Sequence, residues 1–334
     1  MSRYFLIVND VLTMRKFSPS ANASALRELT TAPYRPAART FSGTVRVLVP
    51  TIDATLLLGI PSLYDNDVRY LSESGGAVIQ TKNGHRTALV TNATTYVGPP
   101  AVQALLDRDV RVLCQDESFS DREAAAAFER AHPGCEVTSS TEPDDLVQEM
   151  LSRFGRIDVL ISNDVPRGLT SIESSGDPLH DLQPYVDSLL LVPAKLVSAT
   201  LESMKRERLG SIVLVTSGAP LRNPMQSTAA GSTLAVGYSV ARAATNALAR
   251  AVAADVAEFN IQVNAIAPFY VFSPVFWPSE LGEKDPEYMD EIKRMVPMGR
   301  FGSPTEVGAL IGALTSGEMQ FVSGQVIAFS GAGC

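Results

Sequence analysis

From His85 onward, short apolar runs alternate with helical stretches of ten to twenty residues. Thr87–Val90, Val110–Cys114, Val159–Ser162, Ser211–Thr216, Gln262–Ala267 and Gln325–Phe329 read as strands. Pro99–Leu106, Asp121–Ala131, Pro143–Phe154, the long stretch Leu179–Glu207, Tyr238–Glu258 and Pro304–Leu314 read as helices. Pro133-Gly134 is a stop signal after the alanine-rich second helix. Strands in this order are joined by right-handed crossovers, which make a parallel sheet with helices on both faces. The expected fold class is α/β, a Rossmann-like doubly wound parallel sheet.

The composition agrees with that class and excludes others. Hydrophobic residues make up 45% of the 334 positions and charged ones 19%, enough apolar material for a sizeable core. The net charge of −8 argues against a nucleic-acid binder that neutralises phosphates. The apolar run Leu56–Ile60 is far too short to span a bilayer, so no membrane partner is expected. Three cysteines, Cys114, Cys135 and Cys334, fit a reducing compartment, and a cytoplasmic location is expected. His85, His132 and His180 are scattered, and no metal site is expected.

Residues 1–86 differ from the rest. They carry a net charge of +4, and the remainder carries −12. Thr44–Val49 and Thr55–Leu58 have strand character, and Ala21–Leu29 has some helical periodicity. Residues 1–85 read as an N-terminal extension of unclear order. The alternatives are a transit peptide, spoiled by Asp10 and Glu28, and a real added domain. Residues 86–334 read as the catalytic domain.

Several phrases resemble the short-chain dehydrogenase/reductases: Gly155–Asn163 resembles their central strand, Ser211–Ser217 the strand that delivers their Ser, and Tyr238-Ser-Val-Ala-Arg242 their Tyr-x-x-x-Lys. Asn264–Pro268, Met298–Gly302 with Ser303–Glu306, and Ser323–Gln325 match their C-terminal third. The departures are informative. The family's glycine turn, Thr-Gly-x-x-x-Gly-x-Gly, is here Thr91-Asn92-Ala93-Thr94-Thr95-Tyr96-Val97-Gly98. Such a turn needs glycines for the backbone to approach a pyrophosphate. Asn92 and Tyr96 replace two of them. Arg242 stands for Lys, Ser162-Asn163-Asp164-Val165 for Asn-Asn-Ala-Gly, and Pro268-Phe269 for Pro-Gly. Together these changes imply loss of NAD(P) binding.

The constellation resembles the halohydrin dehalogenase branch of that superfamily. Its first turn, Thr-x-x-x-x-Phe/Tyr-x-Gly, is met by Thr91, Tyr96 and Gly98, and its Ser-Tyr-Arg triad by Ser217, Tyr238 and Arg242. Ser162-Asn163-Asp164, Cys114–Phe119 and the aromatic stretch Phe269–Pro278 also fit. The resemblance implies closure of a halohydrin to an epoxide with release of halide, and the reverse opening of epoxides by small anions. It implies no cofactor.

In that chemistry Tyr238 is the general base, and Arg242, one helical turn away, favours its phenolate. Ser217 holds the substrate oxygen, and Asp164 orients the Arg fork. Thr91, Tyr96, Pro268, Phe269, Tyr270, Val271 and Trp277 would form the halide and substrate pocket, with backbone N–H groups around Tyr270 and Val271 binding the anion. Trp277 has a second reading as a core or interface residue. Twenty residues, 218–237, separate Ser217 from Tyr238, where the family has about a dozen; Ser227 and Ser232 in this loop are rival hydroxyls. Ser217 is preferred because it directly follows a strand. A homo-oligomer, dimer or tetramer, is expected by resemblance through the Asp181–Glu207 and Tyr238–Glu258 helices, with no long tail after Ser330-Gly331 to close a neighbour's pocket. The competing functions are an NAD(P)-dependent oxidoreductase with an atypical cofactor site and a non-catalytic scaffold.

Overall fold

The computed structural model describes residues 6–8, 11–13, 85–166, 178–221, 236–272 and 286–334. The chain divides into two compact units, Met1–Asp65 and Asn66–Cys334. In the first, β1 (Leu6–Val8) pairs antiparallel with β2 (Val11–Thr13). The strands expected at Thr44–Val49 and Thr55–Leu58, and the helix at Ala21–Leu29, lie outside the described residues.

The second unit is built on seven strands: β3 (Thr87–Val90), β4 (Arg111–Gln115), β5 (Cys135–Thr138), β6 (Val159–Ser162), β7 (Gly210–Val215), β8 (Ile261–Pro268) and β9 (Val326–Phe329). Their order across the sheet is β5-β4-β3-β6-β7-β8-β9, and every pairing is parallel. The expected doubly wound sheet is therefore present. The chain order reverses between β3 and β6, so a crevice opens beyond their carboxyl ends.

Successive strand residues point to opposite faces. Val90, Ile161, Val215 and Ile266 pack under α1 (Gly98–Leu106), α2 (Arg122–Ala131) and α8 (Pro304–Thr315). Leu89, Leu160, Leu214 and Ala265 pack under α3 (Pro143–Phe154), α5 (Val192–Glu207) and α6 (Val236–Val256). One glycine sets the approach of α8 to α1: a Cβ on Gly308 would stand 2.6 Å from the Pro100 carbonyl oxygen. No helix among the described residues is long and apolar enough to cross a membrane.

Three elements differ from expectation. Cys135–Thr138 is an edge strand that the sequence pattern did not announce. Pro286–Met295 forms a further helix, α7. The single helix expected over Leu179–Glu207 is broken into α4 (Pro178–Val186), a π-helical turn at Asp187–Leu191, and α5.

Candidate active site

The crevice is floored by the turn after β3. Asn92 and Tyr96, which replace two family glycines, have φ of 46° and 50°. The turn thus keeps the left-handed backbone that favours glycine, while carrying two side chains. Gly98 remains for a steric reason: a Cβ there would lie 2.6 Å from the carbonyl oxygens of Asn92 and Ala93.

The N–H donors of Asn92, Ala93, Thr94 and Thr95 are consumed within the protein. Asn92 N–H donates to Gln115 Oε1 at 3.1 Å, Ala93 N–H to the Gln115 carbonyl at 2.9 Å, and Thr94 N–H to Asp116 Oδ2 at 3.1 Å. Asp116 also accepts from Thr94 Oγ1 at 2.6 Å and from the Ser118 N–H and hydroxyl. Gly98 N–H donates to the Thr95 carbonyl, and Pro99 and Pro100 have no N–H to give. The amino end of α1 is stripped of the donors that make a helix start an anion site.

Asn163 fastens the turn from β6. Its Nδ2 donates to the carbonyls of Asn92 and Thr95, both at 2.9 Å, and Asn92 Nδ2 donates back to the Asn163 carbonyl at 3.0 Å. Thr91 Oγ1 accepts from Asn163 N–H at 3.0 Å. Thr91, expected in the pocket, uses its hydroxyl to join the ends of β3 and β6. Sequence reasoning assigned no role to Asn163, Gln115 or Asp116; their place beside the altered glycine positions was the available signal.

Ser217 stands two residues beyond the end of β7 and is buried. Its Oγ accepts from the Ala219 N–H at 3.1 Å, which fixes the side chain and leaves its own proton to donate. The turn Ala219–Leu221 packs Ala219 into one apolar cluster with Tyr185, Leu189, Tyr238 and Ala241. Ser217 is thereby held beside the Tyr238 end of α6.

Arg242 is 0% exposed. Its Nη1 donates to the Val215 carbonyl at 3.0 Å and its Nη2 to the Asp164 carbonyl at 2.8 Å. Two strand ends therefore hold the fork. The main chain of Asp164 performs the task expected of its carboxylate, which accepts from the Ser162 hydroxyl. Arg242 Nε has no acceptor, and the guanidinium makes no ion pair among the described residues. Its Cζ stands 5.3 Å from the Tyr238 ring centroid.

Tyr96 belongs to the same centre. Burial pushes its phenol well above the ordinary range, the adjacent Tyr238 adds to the rise, and Arg242 opposes it. Tyr185 on α4, not singled out from sequence, meets the Tyr238 ring edge-on at 5.7 Å.

The segment after β8 forms the remaining wall. Pro268 is buried at the strand end. Phe269 is half-buried and packs on the Tyr238 cluster, with its ring 4.3 Å from that of Tyr270. Tyr270 has a φ of 56°, and its ring turns into a separate cluster with Met289, Val296 and Phe301. It brings main chain rather than ring to the crevice. Val271 shares the Tyr96 cluster. The parallel bridge Val271↔Gly302 uses the N–H groups of Gly302 and Phe272, so the Val271 N–H faces the other way and meets no acceptor among the described residues. Trp277, Ser227 and Ser232 lie outside the described residues.

The enoyl-(acyl carrier protein) reductase family model matches residues 97–331. A 3-oxoacyl-[acyl-carrier-protein] reductase of Thermotoga maritima is 27% identical over 255 residues, covering 74% of this chain and 96% of its own. Bovine L-fucose dehydrogenase is 27% identical over 261 residues, covering 75% and 90%. Among solved structures, a protein described as a dehalogenation enzyme superposes with a TM-score of 0.68 at 30% identity, covering 75% of this chain and 98% of its own. A halohydrin dehalogenase bound to ethyl (2S)-oxiran-2-ylacetate does so with 0.67 at 32%, covering 73% and 96%. With a parallel sheet reversing at β3 and β6, and Ser217, Tyr238 and Arg242 at its carboxyl edge, the chain belongs to the short-chain dehydrogenase/reductase superfamily.

Proposed function

We propose that this protein is a cofactor-independent halohydrin dehalogenase. The observation that carries the reading is the first turn. Its N–H donors serve Gln115 and Asp116, the helix behind it opens with two prolines, and Tyr96 fills the space beside Tyr238. A dinucleotide pyrophosphate would lose most of the main-chain donors that hold it in a glycine-rich turn. The two dehalogenase structures, at 30% and 32% identity, support the same reading.

The chemistry needs no hydride. The substrate hydroxyl sits between Ser217 and Tyr238, with Ser217 donating to its oxygen. Tyr238, as phenolate, takes the hydroxyl proton. The oxygen forms a bond to the neighbouring carbon, and the carbon–halogen bond breaks with its electron pair leaving on the halide. Tyr238 then returns its proton to solvent. Arg242 supplies a permanent positive charge beside the phenolate in a dry site, where such a charge acts strongly. The Val271 N–H, with Tyr96 and Phe269 around it, receives the halide. In reverse, a small anion in that slot opens the epoxide. The three free cysteines suit a reducing compartment, in keeping with a cytoplasmic activity.

The test is halide release from 1,3-dichloro-2-propanol without nucleotide. Wild type releases halide, and Tyr238→Phe loses about 10²–10⁴-fold of the rate, the usual worth of a general base. A second reading, an NAD(P)-dependent reductase, draws on the curated relatives, which are named as reductases and dehydrogenases. No halide release together with NADPH binding would establish it instead.

A further inference from the structure

The break in the helix before α5 has a chemical cause. In an α-helix, the Leu189 carbonyl would accept from the N–H of residue 193. That residue is Pro193, which has none. The chain forms a π-turn over Asp187–Leu191, in which the Val192 N–H reaches back five residues to the Asp187 carbonyl. The Leu189 carbonyl then finds its donor on another helix: Thr245 Oγ1 stands 2.5 Å from it and 2.9 Å from the Ala241 carbonyl of its own helix.

Thr245 is buried two turns beyond Tyr238 on the same face of α6. Tyr185 lies one turn before Leu189, and both pack with Tyr238 and Ala241 in one cluster. The edge-on contact at 5.7 Å therefore joins the same two helices that Thr245 ties by its hydroxyl. A threonine hydroxyl that bonds only its own i−4 carbonyl does nothing for a neighbour. This one satisfies a carbonyl that proline leaves without its helical donor.

We infer that Thr245 is a positioning residue: its hydroxyl takes the place of the N–H that Pro193 lacks, and so holds the Tyr185 turn against the ring of Tyr238. The inference deepens the dehalogenase reading. The base must meet the substrate hydroxyl in one orientation, and small misplacement is costly.

The test compares wild type, Thr245→Val and Thr245→Ser. Valine keeps the shape and removes the hydroxyl, whereas serine keeps the hydroxyl. Thr245→Val lowers kcat for halide release between about tenfold and 10²-fold with KM unchanged, and Thr245→Ser restores it. The second readout needs no activity. In protein carrying isotope-labelled tyrosine, the Tyr238 ring resonance is the one lost in Tyr238→Phe. It moves in Thr245→Val and stays in Thr245→Ser. Should Thr245→Val not fold, Pro193→Ala offers the missing N–H in competition with Thr245, and the same resonance moves. An unmoved resonance in Thr245→Val or, where that variant does not fold, in Pro193→Ala, or an equal loss of kcat in valine and serine variants, overturns the inference. A moved resonance in a protein whose wild type releases no halide keeps the tie and sinks the dehalogenase reading alone.

Discussion

The guanidinium of Arg242 faces the ring of Tyr238 across 5.3 Å while its two terminal nitrogens are anchored on the carbonyls of Val215 and Asp164. The charge is thus set by the ends of β6 and β7 rather than by a carboxylate partner. Arg242→Lys keeps the charge but cannot span both carbonyls, because an ammonium has no planar fork. The expected outcome is a loss of kcat of about 10²-fold or more, with at least one buried carbonyl left unpaired at a cost of about 1–3 kcal/mol. Halide-release kinetics and urea unfolding check the two parts.

Restoring glycines does not restore a cofactor. Asn92→Gly with Tyr96→Gly removes both side chains from the turn, yet Asp116 still holds Thr94 and α1 still begins with Pro99 and Pro100. Titration calorimetry of wild type and of the double variant with NADPH is expected to show no binding in either. Saturable heat from wild type would return the protein to the reductases.

The apolar residues Leu191, Val236 and Val240 are 44%, 48% and 47% exposed. They lie on the π-turn before α5 and on α6, Leu191 and Val240 within the two stretches expected to form an interface and Val236 two residues before the second. We expect a dimer or tetramer through these helices. Val240→Asp places a charge in that contact and reduces the mass measured by light scattering. An unchanged mass would remove this face from the assembly.

The capping box of α8 has a defined acid limit. Glu306 accepts from Arg300 and from the Ser303 N–H, and the Arg300 guanidinium above all holds its carboxyl down at about 2. An unfolded glutamate titrates near 4.3, so the folded state binds its proton less readily. Its contribution is complete above about pH 4.3 and is lost as pH falls toward 2. Glu306→Gln is expected to flatten the acid limb of a stability–pH curve over that window and to leave the neutral limb in place.

What could be read from sequence follows from which groups carry each feature. The central strands were legible because Leu89, Ile161 and Val213 are buried on both faces of the sheet and read as apolar runs. The edge strand Cys135–Thr138 was not, since Glu136 and Val137 are half-exposed and leave no pattern. The altered turn was legible because Asn92 and Tyr96 occupy positions where only a missing side chain is ordinary. Asp164 does meet the Arg242 fork, but through its carbonyl, and carbonyls leave no trace in residue type. Tyr270 was placed at the pocket by its main chain, and its positive φ turns the ring into another cluster. Pro193 was the local sign of the π-turn, but the donor that satisfies the Leu189 carbonyl comes from α6, fifty-six residues away, which no local pattern announces.

The crossing of α8 over α1 offers a test of the fold apart from the chemistry. A Cβ on Gly308 would meet the Pro100 carbonyl at 2.6 Å and its carbon at 3.2 Å. Both are main chain at the proline-rich start of α1, so neither can swing aside as a side-chain tip would. Helix α1 also carries Ala101 and Val102 into the core beneath the altered turn. Moving α1 to admit a methyl therefore disturbs the floor of the crevice as well as the interface. In an exposed helix, Gly→Ala stabilises by about 0.5–1 kcal/mol through backbone entropy. Here overpacking, at about 1–3 kcal/mol, outweighs that gain. Gly308→Ala is expected to lower the urea midpoint without changing the slope and to reduce kcat through the displaced turn. A midpoint equal to or above that of wild type would mean that α1 has room to move, and that its approach to α8 is not what seats the crevice floor.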